Sequence, residues 1–134
     1  MIKIGIIGSD LYENKLKIKE IIYKLKQQHG DDIEIVSRGS TNGAEKYVRK
    51  YAIEFGLNYK EFNPAHTVSN LYSALNESFY NKKYTPFNFI LRDKIFSNYI
   101  DKCFCLYTET AVPKTVSTCL KYLNKNNKKY IIIS

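Results

Sequence analysis

The sequence contains no tryptophan, one methionine, three prolines and three cysteines. Three cysteines without CxxC spacing predict reduced, structural thiols and no metal site. No apolar run approaches the roughly 18 residues that cross a bilayer, and Met1–Ile7 is too short for the apolar region of a signal peptide. We therefore expect a cytoplasmic protein with no membrane partner, built as one domain over residues 1–134.

Arginine is also scarce, because only Arg38, Arg49 and Arg92 are arginine among the 21 basic residues. The net charge of +8 would steer a polyanion such as single-stranded nucleic acid toward the protein. The charge is nearly all lysine, however, and the lysines are scattered along the chain, as on an ordinary solvated surface. Composition leaves both interpretations open.

Strand-like and helix-like segments alternate along the chain. The predicted strands are Ile2–Ile7, Ile33–Val36, Leu57–Phe62, Cys103–Tyr107 and Tyr130–Ile133. Four helices are predicted. The second runs from Gly43 to Gly56, the third covers Asn88–Ile100 and the last begins at Pro113. The apolar face of the first helix consists of Leu16, Ile18, Ile21, Ile22 and Leu25. This alternation predicts an α/β, Rossmann-like, doubly wound fold, with a mostly parallel five-stranded sheet of order 3-2-1-4-5 and helices on both faces.

The segment Gly39–Gly43 between the second strand and its helix resembles an anion-binding loop. Glycine allows positive φ and close approach of a ligand, and the first N–H groups of a helix attract anions. The predicted donors to a phosphate are Gly8, Ser9, Gly39, Ser40, Thr41, Asn42 and Gly43. An ordinary helix cap explains the same pattern and stays open as the alternative.

Further candidates fall in segments that the strand order brings to the same crevice. Arg92 is the best charged partner for a phosphate, unless it forms a salt bridge with Asp93 or Asp101. His66, in a predicted aromatic lid over Pro64–Pro86, and Thr115 are candidate ligand contacts. We also predict that Gly43 and Arg92 contact the same anionic group.

Glu109 follows the fourth strand and is the one carboxylate at its end, so it is predicted as a general base or as a ligand of a ribose hydroxyl. An ordinary exposed loop glutamate stays open as the alternative. Glu45 is predicted chiefly to brace the Gly39–Gly43 loop. The G-x-G-x-x-G fingerprint of dinucleotide enzymes is absent after the first strand, so no such cofactor is expected.

Ile4–Ser9, read Ile-Gly-Ile-Ile-Gly-Ser, resembles the first strand and turn of the SLOG superfamily. This Rossmann-like group includes the DNA-processing protein DprA and the Lonely Guy nucleosidases. The chain is most similar to the small YspA-like bacterial and phage proteins, whose second loop runs Ser-Gly-Gly and then Gly-Ala-Asp. Ser37–Gly39 and Gly43–Glu45 stand at these places, with Arg38 for a glycine and Glu45 for the aspartate.

The later helix of that subgroup begins Arg-Asn-Arg and ends Tyr-Ala-Asp, which Arg92–Lys94 and Tyr99–Asp101 match in order and spacing. The aromatic stretch after Phe62–Thr67 looks like a phage-type version. The resemblance covers nearly the whole chain and implies that a nucleotide or nucleotide-derived ligand binds at the carboxyl ends of the strands. It also implies a phage or defence setting and a homo-oligomer.

Two alternatives follow from the same resemblance. One is an N-glycosidase acting on nucleotide 5′-monophosphates, with Glu109 as base and Arg92 as phosphate clamp. The glycine-rich nucleosidase motif is replaced here by Pro113–Thr118. The other is binding of single-stranded nucleic acid, as in DprA-like relatives.

Overall fold

The structure, a computed structural model, describes residues 1–40, 42–62 and 86–134, with the side chains of the last range described from Ile90 onward. Strands and helices alternate strictly in these ranges. The elements are β1 (Ile2–Gly8), α1 (Lys15–His29), β2 (Ile33–Ser37), α2 (Gly43–Glu54), β3 (Asn58–Glu61), α3 (Pro86–Tyr99), β4 (Lys102–Leu106), α4 (Lys114–Lys125) and β5 (Lys129–Ile133).

The five strands form a parallel sheet of order β3-β2-β1-β4-β5, which confirms the predicted topology. One core cluster joins α1 and α2 to the sheet, and a second joins α3 and α4 to its other face. The order of the strands has a switch point between β1 and β4. From β1 to β3 the strands are added toward one edge of the sheet, and β4 and β5 are added toward the other edge. In folds of this kind, ligands bind in a crevice outside the carboxyl ends of the two strands at this switch point.

The central strand is buried on both faces because its β-branched side chains serve both cores. Ile4 and Ile6 belong to the α1/α2 cluster, and Ile7 belongs to the α3/α4 cluster. A Cβ atom on Gly5 would lie 2.7 Å from the Phe96 and Ile100 side chains. The missing side chain at Gly5 therefore lets α3 pack directly on β1.

One residue of the predicted apolar face of α1 lies outside the core. Leu16 is 68% exposed, whereas Ile18, Ile22 and Leu25 are buried as predicted. The rest of the protein covers only part of the apolar side of α1. Leu16 lies on the uncovered part, where it lines a shallow surface groove with Phe55. Periodicity predicts which side of a helix is apolar, but not how much of that side is covered.

The two edge strands of the sheet differ in chemistry. β3 ends in Lys60 and Glu61. The side-chain amide of Asn58 lies 3.4 Å from the carbonyl oxygens of Asp31 and Ile33. β5 is apolar after Lys129, and its Ile131 and Ile132 side chains are 57% and 48% exposed. Among the described residues, no helix combines the length and apolar character needed to cross a membrane.

Candidate functional site

The turn after β1 packs tightly against the start of α2. Gly43 has a φ of 65°, and a Cβ atom there would lie 2.2 Å from the Ser9 carbonyl oxygen. The Ala44 N–H donates to that same oxygen at 3.2 Å. A Cβ atom on Gly8 would lie 2.5 Å from both the Ala44 Cβ and the Leu106 carbonyl oxygen. Gly8 and Gly43 are therefore required by close contact between the segments that form the crevice.

Two amide donors of the predicted anion loop, those of Gly39 and Asn42, are used within the protein. The Gly39 N–H donates to Ser37 Oγ at 3.1 Å, and the Asn42 N–H to Ser40 Oγ at 3.4 Å. Gly39 has the positive φ expected of it, 78°. Ser40 Oγ in turn donates to Asp10 Oδ1 at 3.1 Å, which places a carboxylate at the mouth of the loop. The Gly39 and Asn42 amides and the Ser40 hydroxyl therefore already have acceptors within the protein.

Ser9 and Glu109 meet across the switch point between β1 and β4. Ser9 Oγ donates to Glu109 Oε2 at 2.7 Å and accepts the Leu11 N–H at 3.0 Å. The other carboxylate oxygen, Oε1, is buried and has no hydrogen-bond partner among the described residues. The Ser9–Glu109 pair therefore presents one oriented acceptor at the crevice.

A second buried polar atom without a described partner lies on the same turn. Tyr12 is 1% exposed, and its hydroxyl makes no hydrogen bond within the described part of the chain. Burial raises the pKa of this phenol, so it remains protonated and available as a donor. Tyr12 was not a candidate from sequence, because an aromatic residue before a helix is usually a core residue.

The most extensive charge network, which we call the Arg38 cluster, joins Arg38, Glu45, Asp93 and the Thr115 carbonyl. The Arg38 guanidinium donates to both Glu45 oxygens, at 3.2 and 2.9 Å, and to the Thr115 carbonyl at 2.6 Å. Its Nη1 atom lies 3.5 Å from Asp93 Oδ1. The Arg38 N–H also donates to Glu45 at 2.8 Å, so Glu45 braces the loop as predicted.

Electrostatics in the Arg38 cluster reflects deep burial. Burial alone would lower the pKa of Arg38, but the carboxylates of Glu45 and Asp93 raise it above its ordinary value. Burial raises the pKa of Asp93, while the nearby Arg38 and Arg92 charges oppose that rise. The cluster ties the β2 loop, α2, α3 and the start of α4 together. It stabilises the crevice wall, and the Arg38 guanidinium is paired within the protein.

Arg92 lies beside this cluster. It is 7% exposed, and its Nε atom donates to Asp93 Oδ1 at 3.1 Å. The salt bridge to Asp93, considered from sequence as the alternative to a phosphate contact, is therefore present. Whether Gly43 and Arg92 share one anion stays a prediction. Sequence reasoning selected Arg92 and missed Arg38, because the contacts of Arg38 with Asp93 and with the Thr115 carbonyl form only when distant segments come together in the fold.

Two other candidates need separate comment. The backbone carbonyl of Thr115 accepts a hydrogen bond from Arg38, so Thr115 has a structural role at the crevice. Thr41 and His66 fall outside the described residues, as does the predicted lid up to Pro86. Their predicted ligand contacts stay predictions.

A second buried network follows the ends of β2 and β3. Ser37 Oγ and the Tyr59 hydroxyl lie 2.7 Å apart, and that hydroxyl donates to Glu61 Oε2 at 2.9 Å. Arg49 Nη1 lies 3.6 Å from Glu61 Oε1. Burial and the Glu61 charge raise the pKa of Tyr59 well above its usual value. This network anchors the residue before Arg38 and was not predicted from sequence.

The described cysteines are all buried and unpaired, and no group of three or more metal-ligating side chains occurs in the described ranges. Cys103 Sγ and Cys105 Sγ lie 4.0 Å apart, as expected for alternate residues on one strand. Burial raises the pKa of the Cys103 and Cys119 thiols. The thiols therefore behave as small core residues.

No protein-family model matches the chain, and no curated protein matches it either. Among solved structures, the chain is similar to DNA processing protein A from Helicobacter pylori, with a TM-score of 0.72 and 12% sequence identity. The match covers 99% of this chain and 65% of that chain. That protein is described as binding single-stranded DNA in a unique mode. At this identity the likeness shows a DprA-like fold, while the YspA-like subgroup stays a hypothesis.

Proposed function

We propose that the protein binds a nucleotide-derived small molecule in the crevice outside the carboxyl ends of β1 and β4. The observation that carries this proposal is the buried Oε1 atom of Glu109, which has no partner among the described residues. Its sister oxygen is fixed by Ser9 at 2.7 Å. A buried acceptor held in one orientation suits a donor on a ligand.

The chemistry around this acceptor supports recognition of the nucleoside part of such a molecule. Asp10 and Glu109 both lie beside Ser9, so carboxylate oxygens dominate this part of the crevice. Ribose hydroxyls and base amino groups are donors and fit such a site, whereas a phosphate would be repelled. The phosphate of a bound nucleotide would then face the lysine-rich exterior, where the net charge of +8 favours it.

Equilibrium titration with nucleosides, nucleoside monophosphates and cyclic nucleotides tests the proposal. Glu109→Gln should weaken binding about ten- to a hundredfold, because it replaces a charge-assisted acceptor. Glu13→Gln, at an exposed position before α1, removes the same charge from the surface and should leave binding unchanged. Equal affinities for the two variants, or no ligand binding below about millimolar, would contradict the proposal.

The same incubations separate binding from cleavage. If chromatography shows free base released from a monophosphate, and Glu109→Gln abolishes the release, the N-glycosidase alternative replaces simple binding. Base release that persists in Glu109→Gln would exclude Glu109 as the catalytic base. Intact nucleotide after long incubation supports a binding module.

Single-stranded DNA binding is a second candidate, supported by the likeness to the Helicobacter pylori protein and by the +8 charge. Phosphate contacts release counterions, so the affinity for an oligonucleotide should fall steeply as salt rises. A flat salt response would indicate that the charge is not used for binding. The likeness spans 65% of that chain, so its DNA-binding mode is a proposal for this protein.

A further inference from the structure

A groove follows the exposed side of α1 and ends at the residue after α2. It is lined by Leu16, Lys19, Glu20, Tyr23 and Phe55. The Leu16 and Tyr23 side chains are 68% and 51% exposed, and they lie two helical turns apart on the same side of α1. This surface, which we call the α1 groove, therefore offers two apolar contact points about 10 Å apart.

Aromatic packing fixes one end of the α1 groove. The Tyr23 and Phe55 rings meet edge to face with their centres 6.1 Å apart, and the Phe55 ring stacks on that of Tyr51 at 6.2 Å. Tyr51 is buried in the α1/α2 core cluster. Lys26 Nζ also donates a hydrogen bond to the Phe55 carbonyl at 2.8 Å. A partner therefore meets a surface that is already ordered at this end, which lowers the entropic cost of binding.

Positive charge borders the α1 groove. Helix α1 contains five lysines and one acidic residue, Glu20, whose carboxylate pairs with Lys24 at 2.9 Å. Lys19 Nζ lies 5.8 Å from the centre of the Tyr51 ring, and Lys50 Nζ lies 5.4 Å from the same centre. Neither of these two ammonium groups forms an ion pair with a carboxylate in the described ranges. The groove thus combines apolar contact points with lysines that have no counter-charge among the described residues.

We propose that the α1 groove binds an acidic amphipathic helix of another protein. Such a helix places apolar side chains against Leu16 and Tyr23 and carboxylates beside Lys19 and Lys50. Apolar side chains at positions i and i+7 of a helix lie about 10 Å apart, which matches the spacing of Leu16 and Tyr23. Charge complementarity selects this partner, because a net charge of +8 attracts an acidic protein and repels a second copy of this chain.

The lining of the groove also favours a helix over a nucleic acid. Leu16 is aliphatic and has no ring face on which a base could stack. The Glu20 carboxylate lies in the groove, where it would repel a chain that carries a phosphate at every nucleotide. A helix can instead place a carboxylate beside Lys19 and an uncharged side chain beside Glu20. The α1 groove is therefore better suited to separate acidic side chains than to a continuous polyanion.

Fluorescence anisotropy with a labelled synthetic peptide tests the proposal. The probe is a helical peptide of about five turns, with leucine at positions i, i+4 and i+7 of one face and glutamate on the other face. It should bind the unaltered chain with a dissociation constant below about 100 μM, and Leu16→Glu should raise that constant at least about tenfold. Ile90→Glu is the matched control, because Ile90 is 44% exposed on α3, which packs on the opposite face of the sheet. This control should bind the probe as the unaltered chain does.

Charge reversal tests the electrostatic half of the proposal. Lys19→Glu should weaken binding of the probe about threefold or more, because it replaces an attraction by a repulsion. Lys121→Glu makes the same change at an exposed position on α4 and should leave binding unchanged. A peptide with lysine in place of each glutamate should bind Lys19→Glu more tightly than it binds the unaltered chain. Circular dichroism melting should give the same Tm for all of these variants, since each change is at an exposed position.

Three results would overturn the proposal. The first is no binding of the probe below about millimolar, or equal binding by Leu16→Glu and Ile90→Glu. The second is an equal loss for Lys19→Glu and Lys121→Glu, which would show that only the net charge of the protein matters. The third is binding of a single-stranded oligothymidine or of phosphatidylserine vesicles that Leu16→Glu abolishes and that the acidic peptide does not displace.

Discussion

The two sides of the crevice satisfy their polar groups in different ways. On the β2 and α2 side, the Arg38 guanidinium is 2% exposed and is held by two carboxylates and a carbonyl. On the β1 and β4 side, Glu109 keeps one oxygen without a partner among the described residues. The first side therefore holds the fold together, and the second is suited to a ligand. The sequence predicted phosphate donors on both sides and, on the second side, Glu109 as a general base or a ligand of a ribose hydroxyl.

The largest effect should follow from removing the partner of Arg38. Glu45→Gln leaves a buried guanidinium without its main counter-charge, which costs about 3–5 kcal/mol of unfolding free energy. Denaturant titration measures that free energy. Glu13→Gln removes an exposed carboxylate and should change stability by less than about 0.5 kcal/mol. If the two variants were equally stable, the Arg38 cluster would not brace the crevice.

The next effect separates backbone strain from close contact. Gly43→Ala introduces a Cβ atom 2.2 Å from a backbone oxygen, at a φ of 65°. Gly56→Ala has a similar φ of 70° but meets no atom within 4 Å. A non-glycine residue at such a φ costs about 1–3 kcal/mol. Gly43→Ala should exceed Gly56→Ala by at least about 1 kcal/mol in thermal or denaturant unfolding. Equal losses of stability would mean that the turn at Ser9 moves away from the added Cβ atom at little cost in free energy.

A smaller stability effect is expected on the open side of the crevice. Glu109→Ala removes the hydrogen bond from Ser9 together with the oxygen that lacks a partner, so the two contributions offset each other within about 1 kcal/mol. Thermal melting without ligand measures this difference, and ligand titration measures the lost affinity. A loss of stability comparable to that of Glu45→Gln would show that Glu109 is part of the structural framework.

The smallest effect concerns the thiols beneath the Arg38 cluster. Burial raises the pKa of Cys119, and the thiolate is the reactive form. Iodoacetamide at pH 8 should therefore leave the folded protein unmodified, with all three cysteines alkylated once denaturant unfolds it. Mass spectrometry counts the modified sites. Rapid alkylation of Cys119 in the folded protein would show that α4 opens and that this side is less closed than the other.

Much of the fold was predictable because it depends on local patterns. Apolar runs, helix periodicity and right-handed crossovers led to the strand order, and glycine chemistry led to the positive φ of Gly39 and Gly43. The use of charges was not predictable in the same way. Arg38 and Arg92 look alike in sequence, yet their partners depend on which segments the sheet brings together. Glu109 was a candidate from sequence and its role stays a prediction, whereas Tyr12 was not a candidate.

The pairing of β1 with β4 has a consequence for the order of folding. Ser9 and Glu109 are 100 residues apart, and Lys3 and Asp101 bond reciprocally at the other end of the same strand pair. At about 5–20 residues per second, a ribosome would expose β1 roughly 5–20 seconds before β4 emerges. During that time, the side of β1 that pairs with β4 has no partner strand. The nascent chain, more than the finished protein, is therefore the form at risk of aggregation.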